Sequence, residues 1–92
     1  MKAPMEKGNV VISKKGRDKG RLFVILYSLD ADYVFLCDGE LRKVAHPKKK
    51  KRLHLTPTVY ECQELTGLYD AGRLKDSDVR AALDTVRQAS EN

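Results

Sequence analysis

The sequence predicts a mainly β domain, in which about five short strands curl into a small barrel, followed by two short helices. A length of 92 residues suits one small domain. The first half alternates β-branched and aromatic runs with turns that contain glycine or aspartate. The second half repeats apolar residues every three to four positions, the spacing of one helix face. We therefore expect a barrel over residues 6–56 and a helical extension over residues 57–92.

The first three strands follow from β-favouring runs. Val10–Ile12 is a short β-branched run, and the glycine-containing segment 14–21 after it has the composition of a loop. Leu22–Leu29 is apolar almost throughout, which indicates a strand buried on both faces or a strongly coiled strand in a small barrel. Tyr33–Cys37 follows the break at residues 30–32 and predicts the third strand.

The next part of the chain predicts a hairpin and a last strand. Asp38-Gly39 is typical of a type I′ turn, in which both central residues have positive φ, and Leu41–Ala45 would be the returning strand. Pro47 ends the pairing because it has no N–H to donate. Arg52–Leu55 is the candidate last strand. A sheet of this size removes its open edges best by curling into a barrel.

The second half predicts two amphipathic helices. Thr56 fits an N-cap with Pro57 at the first helical position, Gly72 fits the stop, and Asp76 fits the N-cap of the second helix. The apolar positions are Val59, Cys62, Leu65 and Leu68 or Tyr69 in the first helix, and Val79, Ala82, Leu83 and Val86 in the second. Helices this short must pack on something. We favour packing on the barrel over docking to a partner protein, because small domains need the buried area.

Charge divides the chain in the same place. The whole sequence has 18 basic and 13 acidic side chains, a net of +5. Residues 1–55 hold 14 basic and 6 acidic side chains, a net of +8, whereas residues 56–92 hold 4 and 7, a net of −3. The basic excess concentrates in two short segments, which favours a polyanion partner over a merely solubilising surface.

Several functional classes are not expected. No apolar run is long enough for a membrane span, and the N-terminal segment MKAPMEKGN lacks the apolar core of a secretory signal, so we expect a cytoplasmic protein without membrane contact. Catalytic and nucleotide-binding motifs are missing, so we expect no enzyme activity, cofactor or small-molecule substrate. The potential zinc ligands Cys37, His46, His54 and Cys62 lack close pairs. The two cysteines are interpreted as core thiols and the two histidines as surface residues.

The two basic segments are the candidate binding site. The first surrounds a glycine-hinged loop, the second is a lysine run after Pro47, and two further cations precede it. The candidate residues are Lys14, Lys15, Gly16, Arg17, Lys19, Gly20, Arg21, Arg42, Lys43, Lys48, Lys49, Lys50, Lys51 and Arg52. Such a pattern favours contact with a phosphate backbone over base readout. Asp18 is interpreted as a side chain that closes its turn through nearby amides, and Tyr27 and Tyr33 as strand packing in preference to base stacking.

The stretch from Gly8 to Arg21, GNVVISKKGRDKGR, resembles a KOW motif, which is a strand, a glycine-containing loop and a second strand. With Phe35–Gly39, Pro47 and Leu55-Thr56, the sequence is similar to KOW-domain large-subunit ribosomal proteins of the L14e type and to small bacterial KOW-domain RNA-binding proteins. The similarity spans about residues 6–56. The tail after Thr56 lies outside the motif.

The resemblance implies a five-stranded SH3-like barrel that binds RNA, usually ribosomal RNA, in a ribonucleoprotein of translation. It carries the loop role to Lys14–Arg21, with Gly16 and Gly20 as turn residues and Lys15, Arg17, Lys19 and Arg21 as phosphate contacts. The acidic helices would brace the barrel or meet ribosomal proteins. Two alternatives stay open, a KOW-type transcription-elongation or polymerase-contacting module and a barrel that binds peptides.

Overall fold

The computed structural model describes residues 5–90. Residues 1–4, which begin the N-terminal segment in which no secretory signal is expected, lie outside the described residues. Five antiparallel strands form one sheet in the order β4-β3-β2-β1-β5, and two helices follow. The strands are β1 Asn9–Ser13, β2 Leu22–Ser28, β3 Tyr33–Cys37, β4 Lys48–Lys51 and β5 Leu55–Glu61. A 3₁₀ turn spans Arg52–His54, and the helices are α1 Gln63–Asp70 and α2 Asp76–Ser90.

The sheet has an apolar core on each face. On the inner face, Val11 of β1 packs with Phe23 and Ile25 of β2 and with Leu36 of β3. On the outer face, the alternate residues of the same strands pack with the helices; this core contains Val10, Val24, Leu26, Cys37, Cys62, Leu65, Val79, Leu83 and Val86. The double burial of β2 explains why its sequence is apolar without alternation, as predicted.

The sheet is open in its hydrogen-bond ladder. β4 and β5 are its edges, and within residues 5–90 no ladder pairs one edge with the other. The mainly β class with a helical tail is therefore confirmed. The hydrogen bonds between the described strands do not close the sheet into the predicted barrel. Lysines on β4 and a proline within β5 are residue types that protect exposed sheet edges.

The predicted hairpin at Asp38-Gly39 is wrong. Gly39 has φ of 79°, but Asp38 does not have the positive φ that a type I′ turn needs. Instead, one carboxylate oxygen of Asp38 accepts the N–H groups of Glu40 and Arg42 at 3.0 and 2.9 Å. This side chain folds the segment into a loop, so the strand predicted at Leu41–Ala45 does not form, and β3 pairs with β4 across the loop.

The helix start predicted at Thr56 and Pro57 is also wrong. Both residues belong to β5, where Thr56 lies opposite Ile12 and Pro57 opposite Val11 of β1. Pairing with β1 overrides the local helix signal and carries the sheet to Glu61, past the expected boundary at residue 56. Val59 is consequently a strand residue and 87% exposed.

The helices use most of the predicted apolar positions. Val79, Leu83 and Val86 of α2 are buried, as predicted, and α1 ends before Gly72, whose φ is 71°. α2 begins at Asp76, but the Asp76 carboxylate accepts the N–H of Val44 at 2.8 Å instead of capping its own helix. Within residues 5–90, neither helix has the length and apolar run that crossing a membrane requires.

Candidate nucleic-acid interface

The loop between β1 and β2 presents the first basic segment, as predicted. Gly16 and Gly20 have φ of 91° and 88°, the left-handed region that a glycine adopts most easily. The Gly20 N–H donates to the Ser13 carbonyl at 2.8 Å and closes the base of the loop. Outside this closed base, the exposed cations of the loop are Lys14, Lys15, Arg17 and Lys19.

Asp18 joins this loop to β4. Its side chain is 5% exposed, and it lies 3.1 Å from the Nζ of Lys50 and 3.3 Å from the Nζ of Lys48. The Ser13 hydroxyl donates to it at 2.8 Å, and Lys50 also donates to the Lys15 carbonyl at 2.9 Å. The predicted role of Asp18, closing its turn through nearby amides, is therefore wrong: its carboxylate accepts from Ser13 and the two lysines and links the two basic segments.

The same contacts decide the ionisation of Asp18. Burial by itself raises the pKa of the carboxyl group, but hydrogen bonds from Ser13, Lys50 and Lys48 outweigh it and lower the pKa from 3.8 to about 2. Asp18 is thus ionised at neutral pH and holds both lysines as charged partners.

The register of β4 sends its lysines to opposite faces. Lys50 lies opposite Val34 and Lys48 opposite Leu36, two inner-face core residues. Lys49 and Lys51 therefore belong to the outer face. The sequence predicts the last strand at Arg52–Leu55 and none at the lysine run; in the structure the lysine run is strand β4 and Arg52–His54 is a 3₁₀ turn. Only half of the β4 lysines, Lys49 and Lys51, face away from Asp18.

Two other predicted cations are paired within the chain. Arg21 lies 3.1 Å from Asp38 and 3.0 Å from Glu40. The guanidinium of Arg52 donates to the Ser28 hydroxyl at 2.8 Å and to the Met5 carbonyl. These contacts hold neighbouring segments together and give both arginines a structural role.

The remaining candidate cations have no ion pair with any of residues 5–90; they are Lys14, Lys15, Arg17, Lys19, Arg42, Lys43, Lys49 and Lys51. Arg42 and Lys43 lie in the loop after β3, beside the Arg21–Asp38 pair. The Nζ of Lys49 lies 4.6 Å from the ring centroid of Tyr33.

His54 marks the place where the two basic segments meet. Its carbonyl accepts the N–H of Lys14 at 2.9 Å, which attaches the start of the loop to the 3₁₀ turn after β4. Burial lowers the pKa of its imidazole, and so do the surrounding charges of Lys15, Lys50, Lys51 and Lys14. We call Lys14, Lys15 and Lys51 around His54, together with Arg17 and Lys19 of the same β1–β2 loop, the basic face.

The cysteines occupy the outer core, as predicted. Burial, together with the nearby charges of Asp38 and Asp76, raises the pKa of the Cys37 thiol to about 12. The pKa of Cys62 is raised for the same first reason. Within the described part of the chain, no group of three His, Cys, Asp or Glu side chains is arranged to hold a metal ion.

Comparison with protein-family models gives no match, and comparison with curated proteins gives no significant match. The KOW resemblance therefore rests on the residues of the sequence, and any function argued from it depends on the geometry above.

Proposed function

We propose that this chain is a noncatalytic RNA-binding protein that docks on the phosphate backbone of structured RNA through its basic face. The observation that carries the proposal is the link made by Asp18. Because this buried carboxylate ties the β1–β2 loop to Lys48 and Lys50 of β4, the unpaired cations of both segments are held at fixed separation. A preorganised set of charges binds a polyanion without the entropic cost of gathering flexible side chains.

The chemistry of the basic face favours phosphates over bases. Its cations are mostly lysines, which act as point charges, and the loop glycines allow a close backbone approach. Each phosphate that is neutralised releases condensed counterions. Four to six such contacts would weaken binding by about 10²- to 10³-fold between 50 and 200 mM salt.

Ribosomal RNA is the partner that we propose within this class, and the SH3-like barrel is the fold. The KOW-like sequence supports both, and the attachment of neighbouring segments around the short turn between the two edge strands supports the barrel. The Lys14 N–H reaches the His54 carbonyl at 2.9 Å, and the Arg52 N–H reaches the Asp32 carbonyl at 2.8 Å. These bonds bring the end of β1 and the β2–β3 turn to the segment that connects β4 with β5.

The helices support a bracing role more than a second RNA contact. Their apolar stripes are buried against the outer face of the sheet, and their exposed side chains include Glu64, Asp70 and Asp84. Acidic groups oppose a polyanion, so we place the RNA contact on the sheet and its loops. Contact of these helices with ribosomal proteins would use their acidic surface.

A salt series tests the proposed function. We expect binding to a structured RNA hairpin to fall steeply with salt, and the double substitution Lys14→Gln/Lys15→Gln to reduce the slope of log affinity against log salt by about 1.4 to 1.8. The matched control is Arg73→Gln/Lys75→Gln, which removes the same charge from the acidic half. Its slope should equal that of the wild type.

Equal slopes for both double variants would reject docking on the basic face. Sedimentation of the tagged protein through a gradient of cell extract separates the ribosomal proposal from the polymerase alternative. We expect it to travel with ribosomal subunits at low salt and to be released as the salt concentration rises.

A further inference from the structure

An aromatic row crosses the outer face of the sheet beside the two outward lysines of β4. Tyr27 and Phe35 are cross-strand partners with ring centroids 4.8 Å apart, and Tyr69 of α1 stacks on Tyr27 at 6.2 Å. Tyr33, the first residue of β3, lies on the same face opposite Lys51. The aromatic row is thus Tyr69, Tyr27, Phe35 and Tyr33.

Tyr33 differs from the other members in what covers its ring. Tyr27 stacks with a ring on either side, and Phe35 stacks with Tyr27, whereas the contact on Tyr33 is the ammonium of Lys49 at 4.6 Å. Tyr33 is only partly buried, and Lys49 and Lys51 are exposed. Within residues 5–90, Tyr33 is the member of the row whose ring contacts a lysine ammonium instead of another ring.

We propose that Tyr33, with Lys49 and Lys51, is a stacking site for an unpaired nucleobase. This inference deepens the proposed function, on which it rests, by adding single-stranded nucleotides to the RNA that the protein accepts. The base would take the place of the Lys49 ammonium over the ring, and the released ammonium would contact the adjacent phosphate.

Replacing the Lys49–Tyr33 cation–π contact by base stacking is favourable, because stacking is the stronger interaction. Stacking of a base on an aromatic side chain strengthens binding by about 5- to 150-fold, whereas an exposed cation–π contact contributes about 2- to 5-fold. The lysine keeps a partner, because the base brings its own phosphate.

The electrostatics of this face suit a nucleotide. Lys51 belongs both to this face and to the cations around His54, so the stacking site continues the basic face. Two carboxylates, those of Asp30 and Asp32, lie in the turn before Tyr33 at this end of the sheet, and the Asp30 carboxylate closes that turn. One oxygen of Asp30 accepts the N–H groups of Asp32 and Tyr33 at 2.8 Å each. An RNA strand leaving the basic face therefore meets Tyr33 next to two cations.

The test compares probes that differ only in their bases. The full chain is titrated with an oligoadenylate of about ten nucleotides, with an abasic oligomer of the same length, and with an RNA duplex. The chain has no tryptophan and four tyrosines, so the part of the tyrosine quenching that Tyr33→Leu loses reports stacking on Tyr33. We expect the oligoadenylate to bind at least about 5-fold more tightly than the abasic oligomer at equal salt and to quench the emission.

Substitution of Tyr33 assigns the effect. Tyr33→Leu should remove the preference for the oligoadenylate without changing the salt slope, and Tyr33→Phe, which keeps the ring, should retain it. Urea unfolding of each variant checks that the sheet is intact. The comparison of the two oligomers on the wild-type protein needs no variant, so it decides the question even if Tyr33→Leu fails to fold.

Equal binding of the two oligomers, or an unchanged preference in folded Tyr33→Leu, would overturn the stacking site while leaving salt-dependent duplex binding as support for the proposed function. If the duplex and the abasic oligomer show no salt-dependent binding, the proposed function fails. In that case, binding of the oligoadenylate that is lost in Tyr33→Leu would still support the stacking site, and absence of that binding would reject it.

Discussion

Asp18 is the residue on which the geometry of the candidate site depends. It is one carboxylate with two lysine partners and one hydroxyl donor, almost entirely removed from water. A buried ion pair contributes little compared with an apolar replacement, but removal of one partner leaves the other charge without compensation. Here the loss would leave Lys50, which is 8% exposed, beside the apolar inner core.

Asp18→Asn should therefore lower the free energy of unfolding by about 3 kcal/mol at neutral pH. Urea denaturation measures the change. Asp84→Asn is the control, because its partner Arg87 and the carboxylate are both exposed and such pairs contribute about 0.5 kcal/mol. A loss as small as that of the control would show that Asp18 does not hold the loop to β4.

Acid titration gives a second measurement on the same variant. The pKa of Asp18 is depressed in the folded protein, from 3.8 to about 2, so its contribution is fully present above pH 4. It is lost as the pH falls towards 2, and it amounts to about 2 kcal/mol. We expect the wild type to lose this amount relative to Asp18→Asn over that interval. Parallel acid curves for the two proteins would contradict the assignment.

Among the elements, β4 assigns different roles to chemically identical residues. Its edge position and its pairing with β3 turn Lys48 and Lys50 towards Asp18 and leave Lys49 and Lys51 outside. Lysine is a poor strand former but a suitable edge residue, because its charge opposes pairing with another sheet. Asp18 compensates the charge of Lys50, which the pleat buries, and that of Lys48, which is partly buried.

Single substitutions along β4 should separate these roles. Lys50→Gln should destabilise the fold by about 2 kcal/mol or more, since it leaves the buried Asp18 with a weaker partner. Lys51→Gln should change stability by less than about 0.5 kcal/mol but reduce the salt slope of RNA binding by about 0.7 to 0.9. Urea denaturation and the salt series measure the two quantities. Similar behaviour of both variants would contradict the alternation.

This strand shows where prediction from the sequence ends. The composition of β1, β2, β3 and α2 predicts each element because apolar and β-branched residues report burial directly. A run of four identical lysines has no alternation to detect, so neither its strand conformation nor its two faces are visible. Leu41–Ala45 has a sequence typical of a strand but does not form one. The carboxylates of Asp38 and of Asp76, the first residue of α2, accept the N–H groups of Arg42 and Val44 and hold this segment as a loop.

The candidate site has the same limit. Local charge density identifies both basic segments, but ion pairing across the fold decides which cations remain for a ligand. Arg21 meets Asp38, 17 residues away, and Lys50 meets Asp18, 32 residues away. Contacts at such separations depend on strand order and register, which the charge pattern does not contain.

For the whole molecule, one sheet separates two cores and makes each depend on the other. β1 and β2 contribute alternate residues to both, and α2 covers the outer core with Val79 and Leu83, each fully buried. The sheet and the helices therefore share their buried area. A 92-residue chain has little stability to divide between independent units.

Leu83→Ala should consequently destabilise the entire chain by about 2 to 5 kcal/mol, and the sheet and the helices should still unfold together. Urea transitions followed by helical circular dichroism and by tyrosine emission should coincide in the wild type and shift together in the variant. Leu53→Ala makes the same chemical change at a side chain that is 73% exposed, and it should leave both transitions in place. A helical signal lost at lower urea, with the tyrosine signal unchanged, would instead mean that the sheet is stable alone and that the helices are an appended unit.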